Sequence, residues 1–263
     1  NTGNDSGGGI YNNGTMTLNE SLVNANTTGD FNGAGIYNGG TLTLANTTVR
    51  DNTAGSWAGG IFNNGTMTLN SSLVNGNSDG LGVGGVSQQG TATFINSTIS
   101  GNKGIGVMNT FANKVDSTFI NCTIAFNTGT GYAHGRTASI YSTIVANNGT
   151  NCSGTGFGTF TDAGWNLDSD DTCSFTDFTD LPNTDPLLGP LQHNGGPTYT
   201  HALRKGSPAI DAGDNIGCPA TDQRGITRPQ DGDGDGNAVS DIGAYEFFLV
   251  KATPWIPLLL LGD

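Results

Sequence analysis

The sequence predicts an all-β chain wound into a right-handed parallel β-helix, a solenoid of about 25 residues per coil with a loop-rich C-terminal cap. Three observations predict it: an internal repeat, period-2 alternation inside each repeat, and a composition that suits turns and strands rather than helices.

The repeat is carried by Gly8-Gly9-Ile10-Tyr11-Asn12-Asn13-Gly14-Thr15-Met16-Thr17-Leu18, which returns at Ala34–Leu44 and Gly59–Leu69 and, more divergently, at Gly84–Phe94. Ile10, Ile36, Ile61 and Val86 are therefore 26, 25 and 25 residues apart. The second half of each unit keeps its own columns: Leu18, Leu44, Leu69, Phe94 and Phe119, then Val23, Val49, Val74, Ile99 and Ile124. Asn26, Asn52, Asn77, Asn102 and Asn127 form a third column, expected at a turn because Asn tolerates left-handed backbone and can bond to the Asn above and below.

Within a unit, Met16 and Leu18 alternate with Thr, the pattern of a strand with one buried face. Such a unit cannot bury that face alone, and stacking coils about 4.8 Å apart solves the problem. Few helix formers and 43 glycines argue against a helical solenoid. Beyond Asn127, Ser139–Asn147 echoes Phe119–Asn127 about 20 residues later and predicts one shorter coil. The coils are expected over residues 1–148, a cap over 149–246 and an apolar tail over 247–263.

Twenty-two acidic and nine basic residues give a formal charge of −13, and the basic residues are scattered, which argues against nucleic acid as a partner. With three His and no CxxC, a zinc site is not expected. Cys152 and Cys173 flank a loop-like stretch and are expected to form a disulfide, implying an oxidising, extracellular or cell-surface location. Cys122 falls in the column of Ser21, Thr47, Ser72 and Ser97 and is expected as a packed, unreactive thiol. The chain begins at Asn1 in repeat-like sequence, as expected if a secretion signal had been removed.

The C-terminal third carries Gly164-Trp165-Asn166-Leu167, Asn183-Thr184-Asp185-Pro186-Leu187-Leu188-Gly189-Pro190-Leu191 and Asn194-Gly195-Gly196-Pro197-Thr198. Thr200-His201-Ala202-Leu203, Gly206-Ser207-Pro208-Ala209-Ile210-Asp211-Ala212-Gly213-Asp214, Thr221-Asp222-Gln223-Arg224-Gly225, Arg228-Pro229 and Asp241-Ile242-Gly243-Ala244-Tyr245-Glu246 follow. In order and spacing this stretch resembles the bacterial "choice-of-anchor Q" domain. The resemblance implies an exported, surface-associated protein and no particular reaction. Ser240 stands where that family places a Cys, so Cys218 is left as a free thiol or an intermolecular partner. Read from its residues, the stretch is a cap: its prolines cannot donate to a ladder, so it runs along the solenoid or covers one end.

Asp231-Gly232-Asp233-Gly234-Asp235-Gly236-Asn237 looks like half of a calcium loop. Ile242 at the twelfth position rules out an EF-hand, so Asp231, Asp233 and Asp235 are expected to recruit Asp241, or Asp222, for Ca2+; the alternative is a solvated acidic turn.

Asn183-Thr184-Asp185 and Asp170-Asp171 match pectin-hydrolase motifs superficially, but in reversed order, and Lys103, Lys114, Arg50 and Arg136 lack the acidic company a lyase base needs. His134 is expected as an exposed loop residue, and Arg224 and Arg228 as partners of nearby Asp. Sequons at Asn13, Asn64, Asn96 and Asn148 could carry glycan where they fall on turns, although the repeat itself generates such sequons by chance.

The tail, with Trp255, Ile256, Leu258, Leu259, Leu260 and Leu261, is too short and too interrupted by Lys251, Pro254 and Pro257 to span a bilayer. Together with the open-looking first coil it suggests donation to a neighbouring subunit and a head-to-tail homopolymer. The expected function is a non-enzymatic extracellular surface or structural protein, adhesive or self-assembling. The alternative is a polysaccharide lyase or hydrolase, or a module that binds a cell-surface glycan.

Overall fold

The computed structural model describes residues 1–3, 5–109, 116–135, 137–154 and 160–249. The described residues form an all-β solenoid of about six coils, with no helix. Each early coil contributes four strands. The first coil uses Ile10–Asn12, Thr15–Asn19, Leu22–Asn24 and Thr27–Thr28. Repetition stacks them into three parallel sheets of seven strands and a short fourth sheet of four.

The register matches the sequence columns. Ile61 pairs with Ile36 and Val86, Leu69 with Leu44 and Phe94, and Val74 with Val49 and Ile99. Because Cβ atoms alternate across a strand, these columns all point inward, and from the second coil onward they are fully buried. Phe94 and Phe119 continue the Leu column as stacked rings with centroids 4.6 Å apart, a pairing worth about 0.5–1.5 kcal/mol beyond the buried area.

The Asn column is a continuous ladder. Asn26, Asn52, Asn77 and Asn102 each donate Nδ2–H to the Oδ1 of the next member, at 2.8, 2.9, 3.0 and 2.9 Å, ending on Asn127. Asn127 hands on to Asn148 and Asn148 to Asn151. The expected reason for these Asn was only half right. The left-handed residue is the one before each Asn: Ala25, Asp51, Gly76, Gly101, Phe126 and Asn147 all have positive φ. The Asn side chain turns inward and satisfies the backbone that the bend exposes, as where Asn77 Oδ1 accepts Asn52 N–H at 3.0 Å.

Two further polar columns accompany it. Asn12, Asn38, Asn63 and Gln88 form a second amide ladder at 2.7, 2.6 and 2.9 Å. At the bend after the second sheet, Thr47 Oγ1, Ser72 Oγ and Ser97 Oγ each accept the backbone N–H one coil earlier. Cys122 occupies the next place in that column, buried and free of any disulfide, its Sγ donating to the Ile120 carbonyl at 3.4 Å, and burial pushes its thiol up to about 12.

Two coils are short. Val86 pairs with Val107, only 21 residues on, where the fourth sheet dwindles to the single bridge Ser78–Lys103. In the expected short coil the register is one residue off the sequence reading: Phe119 pairs with Ile140 and Ile124 with Val145. A one-residue slip exchanges the faces, so Val145 fills the core, Ile144 points outward, and Asn148 rather than Asn147 continues the ladder.

The coils also run past residue 148, through Thr150–Gly154, Phe160–Asp162 and Leu167–Asp168. Cys152 thus lies in a strand, in the Ile10 column, and is disulfide-bonded to Cys173. Cys173 and Phe175 join the main core and close the C-terminal end of the stack.

The remaining chain lies along the solenoid's flank. It runs back over the outward face of the third sheet, where Ala125, Ile144, Ala146 and Leu167 pack against Leu188, Leu203, Ala209 and Ile242. Polar contacts fix its position: Thr98 Oγ1 donates to Gln223 Oε1 at 2.6 Å, Asn96 Nδ2 to the Thr221 carbonyl at 2.7 Å, and Gly243 N–H to the Ser142 carbonyl at 2.9 Å. Of the sequon residues, Asn96 and Asn148 are tied up in contacts of this kind, while Asn13 and Asn64 are exposed.

Within this strap is a buried ionic network. Arg224 pairs with Asp222 at 2.6 Å, and Arg228 pairs at 2.8 Å with Glu246 rather than with an Asp. Arg228 also donates to the Asp241 and Gly243 carbonyls, and the Arg224 guanidinium sits 3.5 Å over the Tyr245 ring. These partnerships account physically for the Thr221–Gly225, Arg228-Pro229 and Asp241–Glu246 motifs.

Candidate functional site

The strap covers the outward face of the third sheet over the later coils, reaches the third coil at Ser71 and Ser72, where Leu73 is buried, and leaves Leu22 of the first coil exposed. Outward residues there come in two columns, Leu22, Thr48 and Leu73, and Asn24, Arg50 and Asn75. The facing wall is an antiparallel hairpin of the strap, Leu188–Gln192 with Thr200–Leu203.

The hairpin is anchored to the solenoid from behind. Thr198 Oγ1 donates to the Ser71 carbonyl at 3.0 Å. Buried His201 donates from Nδ1 to the Gly189 carbonyl at 2.7 Å, leaving Nε2 to accept from Ser100 Oγ at 2.8 Å. Burial lowers its pKa, which keeps this tautomer neutral.

Between the two walls lies a groove of about 480 Å³, within the range of small-molecule sites. Leu22, Leu73, Leu191 and Pro197 give it an apolar surface; Glu20, Asn46, Arg50, Asn75 and Tyr199 give it polar groups. Two of these carry buried atoms without a hydrogen-bond partner: Arg50 Nε, a donor, and Asn75 Oδ1, an acceptor. Arg50's nearest carboxylate, Asp51, is 3.7 Å away, too far for a hydrogen bond. The Tyr199 ring is 47 % exposed and meets His193 edge-on, centroids 6.0 Å apart. The sequence reading weighed Arg50 only as a lyase base and missed Asn75 and Tyr199, because no periodicity links the hairpin to coils more than 100 residues earlier.

The acidic loop is arranged differently from the sequence expectation. Asp231 and Asp233 converge with Asp211, ligand oxygens all within 4.8 Å. Asp235 instead turns back on its own loop and accepts from Asn237. Asp241 is buried, accepting the Asp211 and Phe247 N–H groups, and burial beside Glu246 pushes its pKa up to about 8. Asp222 belongs to the Arg224 pair. Three carboxylates suit a hard cation in kind, against the six to eight oxygens calcium takes. The same oxygens already hold the loop, Asp211 accepting from Gly232 and Asp233, and Asp231 from Gly234 and Gly236.

Two of the acids matched to hydrolase motifs are bound into turns. Asp185 accepts from Leu187 N–H, and Asp170 from Thr172 and Asn151. Asp162 and Asp180 form a carboxylate pair in the C-terminal closure: burial first, then Asp162, pushes Asp180 up to about 7, while against burial the hydrogen bond from Asp180, then the N–H groups of Thr176, Asp177 and Gly164, hold Asp162 low. His134 is not in an exposed loop. It ends the strand Thr130–His134, stacked against Phe160 with centroids 5.2 Å apart, and burial lowers its pKa.

Cys218 is a free thiol with Sγ 2.9 Å from Ser240 Oγ. Residues 255–261, expected to mediate assembly, lie outside the described residues, as do Lys114 and Arg136. No described helix is long and apolar enough to cross a membrane.

Comparison with protein-family models, with curated proteins and with solved structures found no match to this chain. The "choice-of-anchor Q" resemblance of the C-terminal third therefore rests on its motifs alone.

Proposed function

We propose that this protein is a non-enzymatic extracellular surface protein whose solenoid is a stiff scaffold for adhesion. The observation that supports this best is the way its polar groups are used. Amide and hydroxyl ladders run coil to coil through the body, the strap is locked onto the flank by Thr98–Gln223, Asn96–Thr221 and Gly243–Ser142, and it is braced internally by Arg228–Glu246 and Arg224–Asp222. Its paired carboxylates, Asp162 with Asp180 and Asp168 with Asp170, are engaged by N–H groups of neighbouring turns. A scaffold so fully cross-bonded resists local opening and holds surface groups at fixed spacing. The disulfide fits an oxidising compartment.

A panel of neutral and acidic polysaccharides incubated with the full chain tests the reading. No reducing or unsaturated sugar ends are expected, and their release would sink it. End-to-end assembly through residues 255–261 is a separable part of the proposal. Sedimentation and negative-stain microscopy should show concentration-dependent linear oligomers, and a strict monomer removes that part.

A further inference from the structure

We propose that the outward face of the second sheet binds the surface of ice. The inference goes beyond the adhesive reading and does not depend on it. The chemistry of that face, its spacing and its charge each point the same way.

The chemistry is a threonine array. In each of the first four coils the second-sheet strand opens with two threonines two residues apart: Thr15 and Thr17, Thr41 and Thr43, Thr66 and Thr68, Thr91 and Thr93. The alternate residues, such as Met67 and Leu69, belong to the core, so both threonines of each pair point outward. They stack in register without a bulge, Thr15 on Thr41, Thr66 and Thr91, and Thr17 on Thr43, Thr68 and Thr93. Among the described residues, none of these eight hydroxyls has a hydrogen-bond partner in the protein. Each threonine therefore offers a free hydroxyl beside a methyl group.

The spacing is that of a crystal. Coils lie about 4.8 Å apart, and residues two apart along a strand about 6.6 Å. Waters linked tetrahedrally at about 2.75 Å put second-neighbour oxygens about 4.5 Å apart, and the same bonds give hexagonal ice a perpendicular repeat of about 7.3 Å. Both repeats lie in the prism face of ice. The coil interval departs from the first by about 0.3 Å, which over three intervals accumulates to about a third of one water spacing. The strand interval falls about 0.7 Å short of the second, but the array is two threonines wide, so that difference arises once. Threonine is stiff at χ1, and the strand beneath is held by its ladder and its core. The array is thus ordered in advance, which lowers the entropy lost on binding.

The face is neutral on an acidic protein. Twenty-two Asp and Glu give a formal charge of −13, yet the eight positions and the outward column beside them, Asn19, Ala45, Asn70 and Ile95, carry no charge. Strand propensity by itself favours threonine, but it acts equally on the other faces and does not make them uniform. The third sheet shows Leu22, Thr48, Leu73 and Thr98 in one outward column, and the first shows Tyr11, Tyr37, Phe62 and Ser87. Thr15, Thr41, Thr66 and Thr91 are all exposed, and the bond from Tyr141 of this sheet to Asp214 of the strap lies two coils beyond them. A dissolved molecule meets one or two coils of such a face. A crystal lattice meets all four together, so contacts that are weak singly act in concert.

The test is thermal hysteresis by nanolitre osmometry, with partition of the full chain into a growing ice hemisphere. The protein should shape ice crystals and be enriched in the ice. Thr41→Lys and Thr66→Lys, both at exposed positions within the array, should each lower hysteresis about fivefold or more. Thr27→Lys is the control, an exposed threonine on the short fourth sheet, and it should leave hysteresis unchanged. Far-ultraviolet circular dichroism and the urea midpoint confirm that each variant is folded. Exclusion of the wild-type chain from ice overturns the assignment, as does an equal loss in Thr27→Lys. Retention on microcrystalline cellulose or chitin through Thr41 and Thr66, without ice shaping, overturns it too and hands the face to a crystalline polysaccharide. None of these outcomes touches the non-enzymatic reading, which fails on release of sugar ends.

Discussion

The Asn ladder makes a position-dependent prediction about stability. In Asn77→Ala the lost amide is one that Nδ2 directs to Asn102 Oδ1 and to the Val49 carbonyl, both at 3.0 Å. Its oxygen also accepts from Asn52 twice, from the backbone N–H at 3.0 Å and from Nδ2 at 2.9 Å. Removal leaves the buried Asn52 N–H unpaired, at about 1–3 kcal/mol, and deletes three further bonds worth about 0.5–1.5 kcal/mol each. With partial relaxation, a loss of about 4 kcal/mol is expected. Asn26→Ala removes the donor to Asn52 Oδ1, which keeps the Asn26 N–H at 3.0 Å, and a long, part-buried bond at 3.4 Å from the Asn1 amino terminus, which water replaces, so about 1 kcal/mol is expected. Urea unfolding followed by far-ultraviolet circular dichroism measures both, compared at constant m. Equal losses in the two variants, or less than about 1 kcal/mol for Asn77→Ala, would refute the idea that each rung serves the coil before it.

Other perturbations probe the strap, the closure and the acidic loop. Glu246→Ala strands buried Arg228, and should destabilise by about 3–5 kcal/mol; proteolysis should then cut the strap before the solenoid, and cutting in the reverse order would count against the network's role. Ser240→Cys should form a disulfide with Cys218, given the 2.9 Å Sγ–Oγ approach across a separation of 22 residues; the expected gain is about 3 kcal/mol, abolished by reductant. Asp180, pushed up to about 7 from 3.8, holds an extra proton in the folded state between those values, so its contribution to stability is greatest at low pH and falls as pH rises through that window, by at most about 1.4 kcal/mol per pH unit. Asp180→Asn should flatten that slope in the urea midpoint, and an unchanged profile would remove the assignment. Any calcium-dependent rise in Tm should vanish in Asp211→Asn and persist in Asp235→Asn, because only Asp211 shares the cluster; the opposite pattern would restore the ligand set read from the loop sequence.

The solenoid was legible because its columns repeat the same chemistry at the same interval: Val23, Val49, Val74 and Ile99 could be aligned without knowing the fold. Legibility failed where two phases were equally apolar. Ile144 and Val145 both suit a core, and the 21-residue coil removed the spacing that would have chosen between them. The disulfide was legible from Cys152 and Cys173, but not that Cys152 fills the Ile10 column. The strap's course was not legible either, since contacts such as Thr98 with Gln223 join residues 125 apart with no periodicity behind them. For the acidic loop, Asp231 and Asp233 stood out by alternation, whereas Asp211 sat in a different motif and reached them only through the fold.

The ladder has a sense: each amide points its N–H toward the later coil, from Asn26 through Asn127. A duplicated stretch starting and ending at equivalent rungs would splice into that line without leaving a broken link, while a fragment of a turn would face an amide with the wrong neighbour. Changes in the length of such a chain are thus admitted in whole revolutions, with small trims absorbed at the corner where the fourth sheet dies out before Val107. A lineage built on this architecture would grow or shorten in steps of one repeat, keeping its girth constant.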